Sequence, residues 1–139
     1  MNLYDFSVKR QQIAAKKIYC IDSGLSNAVG FGFSPNTGKL LENLVFLTLR
    51  QQAKELYYYT TPGGLKGDFY LPERQQLVQV TQTLENPATR ERELRALAEA
   101  VQTVKVKSAM ILSNSNEDGF EVNGVPVEVR STAEWVLSQ

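Results

Sequence analysis

The sequence of 139 residues contains no histidine and a single cysteine, Cys20, and these two counts restrict the chemistry it can do. Histidine is the usual general base near neutral pH and the commonest metal ligand, so His-dependent triads and Cys/His zinc sites are excluded. One thiol forms no intrachain disulfide and suits a reducing interior. Carboxylates, lysines, amides and hydroxyls remain. Among the carboxylates Glu42 is conspicuous. At about 100° per residue it lies next to Phe46 and Leu49, at the border of an apolar helical face and not opposite it. Gly32 with Gly38-Lys39 superficially resembles a phosphate-binding loop, but the spacing is one residue too long and Leu40 stands where Ser or Thr must hold magnesium. A nucleotide site there is rejected.

The elements that must position such groups follow from pattern. Residues 1–15 show no clean period and read as a lead-in segment, with one domain over 16–139. Ile18 to Ile21 is a short β-prone run closed by Asp22-Ser23-Gly24, which makes Cys20 a small core residue. Gly30 to Asn36 is a loop. From about Gly38 to Ala53 the residues Leu40, Leu41, Leu44, Val45, Thr48 and Leu49 recur at helical spacing. Three β-type runs follow, Leu56 to Thr61, Gly67 to Leu71 and Leu77 to Thr81. Pro62-Gly63-Gly64 and Pro72 separate them, which predicts an antiparallel meander. Asn86-Pro87 caps a second helix carrying Leu94, Leu97, Ala98 and Val101, with Glu91 and Arg95 paired on its outer face. Ala109 to Leu112 reads as a buried strand. Phe120–Val122 and Val125–Val129 form an edge pair, and a closing helix begins near Thr132. This order predicts an α/β domain with a mixed sheet flanked by helices.

Fifteen basic residues balance fifteen acidic ones, so no overall field draws in nucleic acid or anionic lipid. Locally, Lys9, Arg10, Lys16 and Lys17 face only Asp5, which predicts a solvated, poorly ordered terminal arm that packs loosely or against a neighbour. No run has the apolar length of a membrane span and the N-terminus lacks the apolar core of a secretory signal, so a cytoplasmic protein without a membrane partner is expected.

The order helix with Glu, strand with Asp, strand with a polar-apolar-polar triplet, helix resembles the core of the PD-(D/E)XK, or restriction-endonuclease-like, fold. In that fold a helical Glu, a strand Asp and a Glu-x-Lys converge on magnesium. The resemblance places Glu42, Asp68, Gln79 and Thr81 at these positions. Glu42 and Asp68 are then the candidate ligands of a weakly held magnesium ion. Gln79 is neutral where an anion strengthens metal binding, and Thr81 replaces the cationic amine, so the site reads as degenerate. Lys39 and Lys66 are the neighbours from which a cation could be recruited. The resemblance implies that Glu42, Asp68 and Gln79 point into one shallow, solvent-accessible cleft at the sheet edge.

A closer resemblance covers residues 16–137. The segments KKIYCIDSGL at 16–25, TGKLLENLVFLTLR at 37–50, KGDFYL at 66–71 and LVQVTQTL at 77–84 are similar to the C-terminal domain of a prokaryotic AAA-type ATPase family. Thr89-Arg90-Glu91, Val125-Pro126 and Glu134 to Leu137 extend the match. That domain is of unknown function and similar to the PD-(D/E)XK fold. In the family an ATPase module and a winged-helix segment precede it, so the resemblance implies a truncated product or an excised domain. It also implies a catalytically degenerate module that engages an ATPase module or another protein, or weakly senses nucleic acid. Two rival expectations stand beside it, an active magnesium-dependent nuclease with Gln79 as third ligand and a plain homo-oligomerisation module.

Simpler structural roles are set against each candidate. Glu42 could cap or pair at the helix edge, Asp68 could belong to the hairpin, and Gln79 and Thr81 read as ordinary exposed strand residues. Tyr57-Tyr58-Tyr59 reads as strand packing before base stacking. Glu91 and Glu93, interleaved with Arg90, Arg92 and Arg95, read as a solvated helix face.

Overall fold

Apolar residues at period two in the strands and near 3.6 in the helices are sorted here into two layers, one on each face of a sheet. The computed structural model describes residues 1–20 and 37–139. Its elements are β1 (Asn2–Leu3), α1 (Val8–Ile13), α2 (Thr37–Gln52), β2 (Tyr57–Thr60), β3 (Lys66–Leu71) and β4 (Gln76–Val80). They continue with α3 (Pro87–Thr103), β5 (Ser108–Ser113), β6 (Glu117–Val122), β7 (Val125–Ser131) and α4 (Thr132–Leu137). The seven strands form one mixed sheet in the order β1-β2-β3-β4-β5-β7-β6. This α/β architecture, with β2-β3-β4 as an antiparallel meander and β5 parallel to β4 after the α3 crossover, agrees with the pattern in the sequence.

On one face, Val45 and Leu49 of α2 and Trp135 of α4 pack with Phe69, Leu71, Val78, Met110 and Leu112. On the other, Leu97 and Ala100 of α3 pack with Tyr59, Tyr70, Leu77, Ala109 and Ile111. Asn86 caps α3 as its side chain accepts from Ala88 N and Thr89 N, and Pro87 follows where an amide hydrogen is not needed. The Glu91–Arg95 pair forms at 3.1 Å.

Four expectations are corrected. Residues 1–15 are a loose arm only in part: β1 extends the sheet parallel to β2 and Tyr4 packs edge-on against Tyr57 and Tyr70, whereas α1 buries no residue. Ile18, Tyr19 and Cys20 lie outside any strand, and Ile21 with the Asp22-Ser23-Gly24 turn falls outside the described residues, as does the Gly30 to Asn36 loop with Gly32. Cys20 is exposed and is no core residue. Its backbone is what counts, donating to Asn43 Oδ1 at 2.8 Å and accepting from Asn43 Nδ2 at 3.0 Å. Finally, of the β6–β7 pair at the end of the sheet, β7 is interior, parallel to β5, and β6 alone is the edge strand. Tyr58 and Tyr59 are buried, as strand packing requires.

One irregularity matters for the site. Tyr57 pairs with Tyr70 but Tyr59 pairs with Gly67, so Asp68 and Phe69 together oppose the single residue Tyr58. This is a β-bulge, which re-aims side chains by breaking strict alternation. Gly67 and Tyr70 thereby both serve the α3 side, where the Tyr59 ring covers Gly67. A Cβ at Gly67 would lie 1.7 Å from Tyr59 Cζ. Gly67→Ala is therefore expected to lower unfolding stability by about 1–3 kcal/mol through overpacking, measured by urea titration, with Tyr59→Ala in the same chain restoring room for the methyl group.

Candidate functional site

The bulge leaves Asp68, like its neighbour Phe69, on the α2 side, where Lys17 joins it to Glu42. Lys17 Nζ lies 2.9 Å from Glu42 Oε1 and 3.3 Å from Asp68 Oδ1. Tyr19 donates its hydroxyl to the same Glu42 oxygen at 2.6 Å. Lys17 Nζ also stands 5.7 Å from the centre of the Tyr58 ring, on its face. The lysine and both carboxylates are largely shielded, with side-chain exposures of 24%, 24% and 18% for Lys17, Glu42 and Asp68.

Local anchors hold Lys17 there. Tyr19 stacks flat on Phe46 of α2, with centroids 4.1 Å apart, and Cys20 is clamped by Asn43 one helical position from Glu42. Before the lysine, Tyr58 donates its hydroxyl to Ala15 O, and Lys17 N donates to Met1 O at 3.0 Å. The helix α2, the strand β3 and the stretch around Lys17 thus all contribute to one ionic cluster.

The β3–β4 ladder ends at Phe69 and Val78. Beyond it the side chains of Asp68 and Gln79 replace backbone partners. Asp68 N donates to Gln79 Oε1 at 2.8 Å, and Val80 N donates to Asp68 Oδ2 at 2.9 Å. Gln79 is 1% exposed and donates through Nε2 to Glu93 Oε2 of α3 at 2.9 Å. The other Glu93 oxygen accepts from Arg92 at 2.8 Å. Gln79 is therefore a structural bridge with both ends of its amide engaged.

These contacts correct the expected single cleft. An open cleft of about 520 Å³ is lined by Lys39, Glu42, Thr81, Asn86, Thr89 and Arg92 among others, but not by Asp68 or Gln79. Neither Gln79 nor Thr81 is an exposed strand residue. Thr81 follows the end of β4, is buried, and donates to Thr83 O at 3.3 Å. Glu93 is also buried and not part of a solvated face. The cation beside the carboxylates comes from Lys17, which the sequence placed in a loose arm, and not from Lys39 or Lys66. Lys17, Tyr19 and Glu93 were missed as site residues. The only signal was the adjacency of Lys17 and Tyr19 within KKIYCIDSGL.

The donor set does not fit a magnesium ion. A hard cation of this kind takes several oxygen ligands. Here the two carboxylates already share an ammonium, Gln79 Oε1 is turned to a backbone amide, and the Thr81 hydroxyl is given to Thr83 O. Among the described residues no group of three or more His, Cys, Asp or Glu stands together as a metal site.

Burial, foremost, and then the Glu42 charge push the Asp68 carboxyl up to about 6, while Lys17 and the Val80 amide oppose the shift and Glu93 adds to it. Burial and the bond to Glu42 push the Tyr19 phenol well up, so it stays a donor.

No family model matches the sequence, and no solved structure matches it. The chain is 36% identical over 124 residues to an uncharacterized protein of Methanocaldococcus jannaschii, covering 86% of this chain and 27% of that one. It spans about a quarter of that relative's length.

Two outcomes are expected. Gln79→Glu, which restores the acid of the nuclease pattern, sets a second carboxylate against buried Glu93 and removes the donor, costing roughly 1–3 kcal/mol in urea unfolding. The raised Asp68 value means that the native carboxyl keeps a proton which the unfolded chain has lost between about pH 4 and pH 6. Its contribution to stability is thus present at the acid end and lost as pH rises through that window. Compared with Asp68→Asn, the wild type should lose on the order of 2 kcal/mol between pH 4 and pH 7, read from parallel unfolding curves.

Proposed function

We propose that this chain is a restriction-endonuclease-like domain of an AAA-type ATPase family, without metal-dependent cleavage, serving as an interaction module or weak nucleic-acid sensor. The observation that carries the reading is the Lys17 ammonium between Glu42 and Asp68. It puts a positive charge between the two carboxylates that a nuclease of this type would use to hold its metal ion. Cleavage also needs an activated water and stabilisation of the extra charge on phosphate. Lys17 spends its charge on the carboxylates, and Gln79 spends its amide on the fold.

The order α2-β2-β3-β4-α3-β5, with Glu42 on the helix and Asp68 on the second strand of the meander, supports the fold assignment. That the related stretch is about a quarter of a longer archaeal protein supports a role as one module among several. Zero net charge and the ion-paired α3 arginines favour a protein partner over nucleic acid. Among the described residues no helix is long and apolar enough to cross a membrane. The rival reading as an active nuclease draws on the same lysine, since Lys17 brings an amine close to both carboxylates although Thr81 does not.

Incubation of the purified chain with single- and double-stranded DNA in magnesium or manganese separates the two. No cleavage above a metal-free control is expected. Metal-dependent cleavage by the wild type that disappears in Asp68→Ala would overturn the proposal and establish the rival.

A further inference from the structure

An ammonium shared by two shielded carboxylates can be an incidental ion pair or a built-in counter-ion. The two differ in preorganisation. Incidental pairs lie on mobile side chains in water and contribute little. Lys17 is different in three respects. Its backbone is fixed on both sides, by Tyr58 on Ala15 and by Asn43 on Cys20. Its Nζ touches carboxylates from two separate elements, α2 and β3. The ring face of Tyr58 lies near the same nitrogen, a contact that favours a soft organic cation and offers no oxygen ligand to a hard metal.

We infer that Lys17 is the permanent resident cation of this site, taking over part of the charge neutralisation that a divalent ion would supply and making the folded domain independent of divalent metal. The consequence is structural as well as chemical. The same ammonium that pairs with Glu42 and Asp68 fastens the segment carrying Ala15 to Cys20 onto α2 and β3. This inference rests on the cluster geometry alone and stands whether or not an ATPase is the partner.

The experiment uses the full chain at pH 8, where Asp68 is ionised, and reads thermal midpoints with and without millimolar MnCl2, alongside Mn²⁺-induced line broadening in amide NMR spectra. For the wild type, the expected results are an unchanged midpoint and no selective broadening at Glu42 or Asp68. Lys17→Met keeps the apolar stem but removes the charge, leaving two carboxylates face to face, and should lower the midpoint by about 3–6 °C. Lys17→Met/Asp68→Asn removes that repulsion and should recover at least half of the loss. A lysine that mattered only through packing of its stem would show neither the loss nor the recovery. Saturable Mn²⁺ binding at Glu42 and Asp68 of the wild type would overturn the inference, and so would a Lys17→Met chain as stable as the wild type. Should Lys17→Met not fold, the double variant and the wild-type Mn²⁺ titration still decide. Cleavage is not read at all, so failure here is distinct from failure of the proposed function.

Discussion

The site depends on a conflict at the point where β3 and β4 part. A backbone ladder that ends inside a protein leaves amides without partners, and buried amides require them. Asp68 N and Val80 N are two such groups, and the side chains of Gln79 and Asp68 satisfy them. Once committed in this way, the Gln79 amide and one oxygen of Asp68 are fixed in orientation by the backbone they serve. The other oxygen of Asp68 is left for Lys17. The chemistry of the cluster is set by what the backbone needed first.

The bulge makes this division possible. Strict alternation would put Asp68 on the same face as Tyr70, beside α3 and Glu93. With Asp68 and Phe69 opposing one residue of β2, the carboxylate moves to the α2 face while Gly67 returns to the other, beneath Tyr59. Acidic groups are thereby separated by the sheet. Glu42 and Asp68 share Lys17 on one side, whereas Glu93 is paired with Arg92 and bonded to Gln79 on the other. A further carboxylate on either side would raise the cost of burial.

That arrangement connects fold to function through charge. One ammonium faces two carboxylates, and the raised Asp68 value reports that the second negative charge is carried at a cost. Tyr19 lessens the cost at Glu42 by donating a hydrogen bond. With Asp68 ionised the cluster keeps one negative charge in excess of Lys17, and the Tyr19 hydroxyl and the Val80 amide are the donors that share it.

By itself the sequence determined the large elements, because they rest on local periodicity. The apolar repeat of Leu44, Val45 and Leu49 marked α2, Asn86-Pro87 marked the start of α3, and the glycine and proline turns separated β2, β3 and β4. Absence of histidine excluded whole classes of catalysis without any coordinates. Glu42 and Asp68 were also legible, one from its place on a helical face and the other from the order of elements. Lys17 was not, because it lies 25 residues from Glu42 and 51 from Asp68, and pattern rules reach only the next helical turn or the facing strand position. Nor was the burial of Gln79 and Glu93, since a polar residue is read as exposed until its partner is known. The bulge at Asp68 decided the rest: one additional residue in a strand leaves composition and periodicity almost unchanged, yet reverses which face of the sheet a carboxylate occupies.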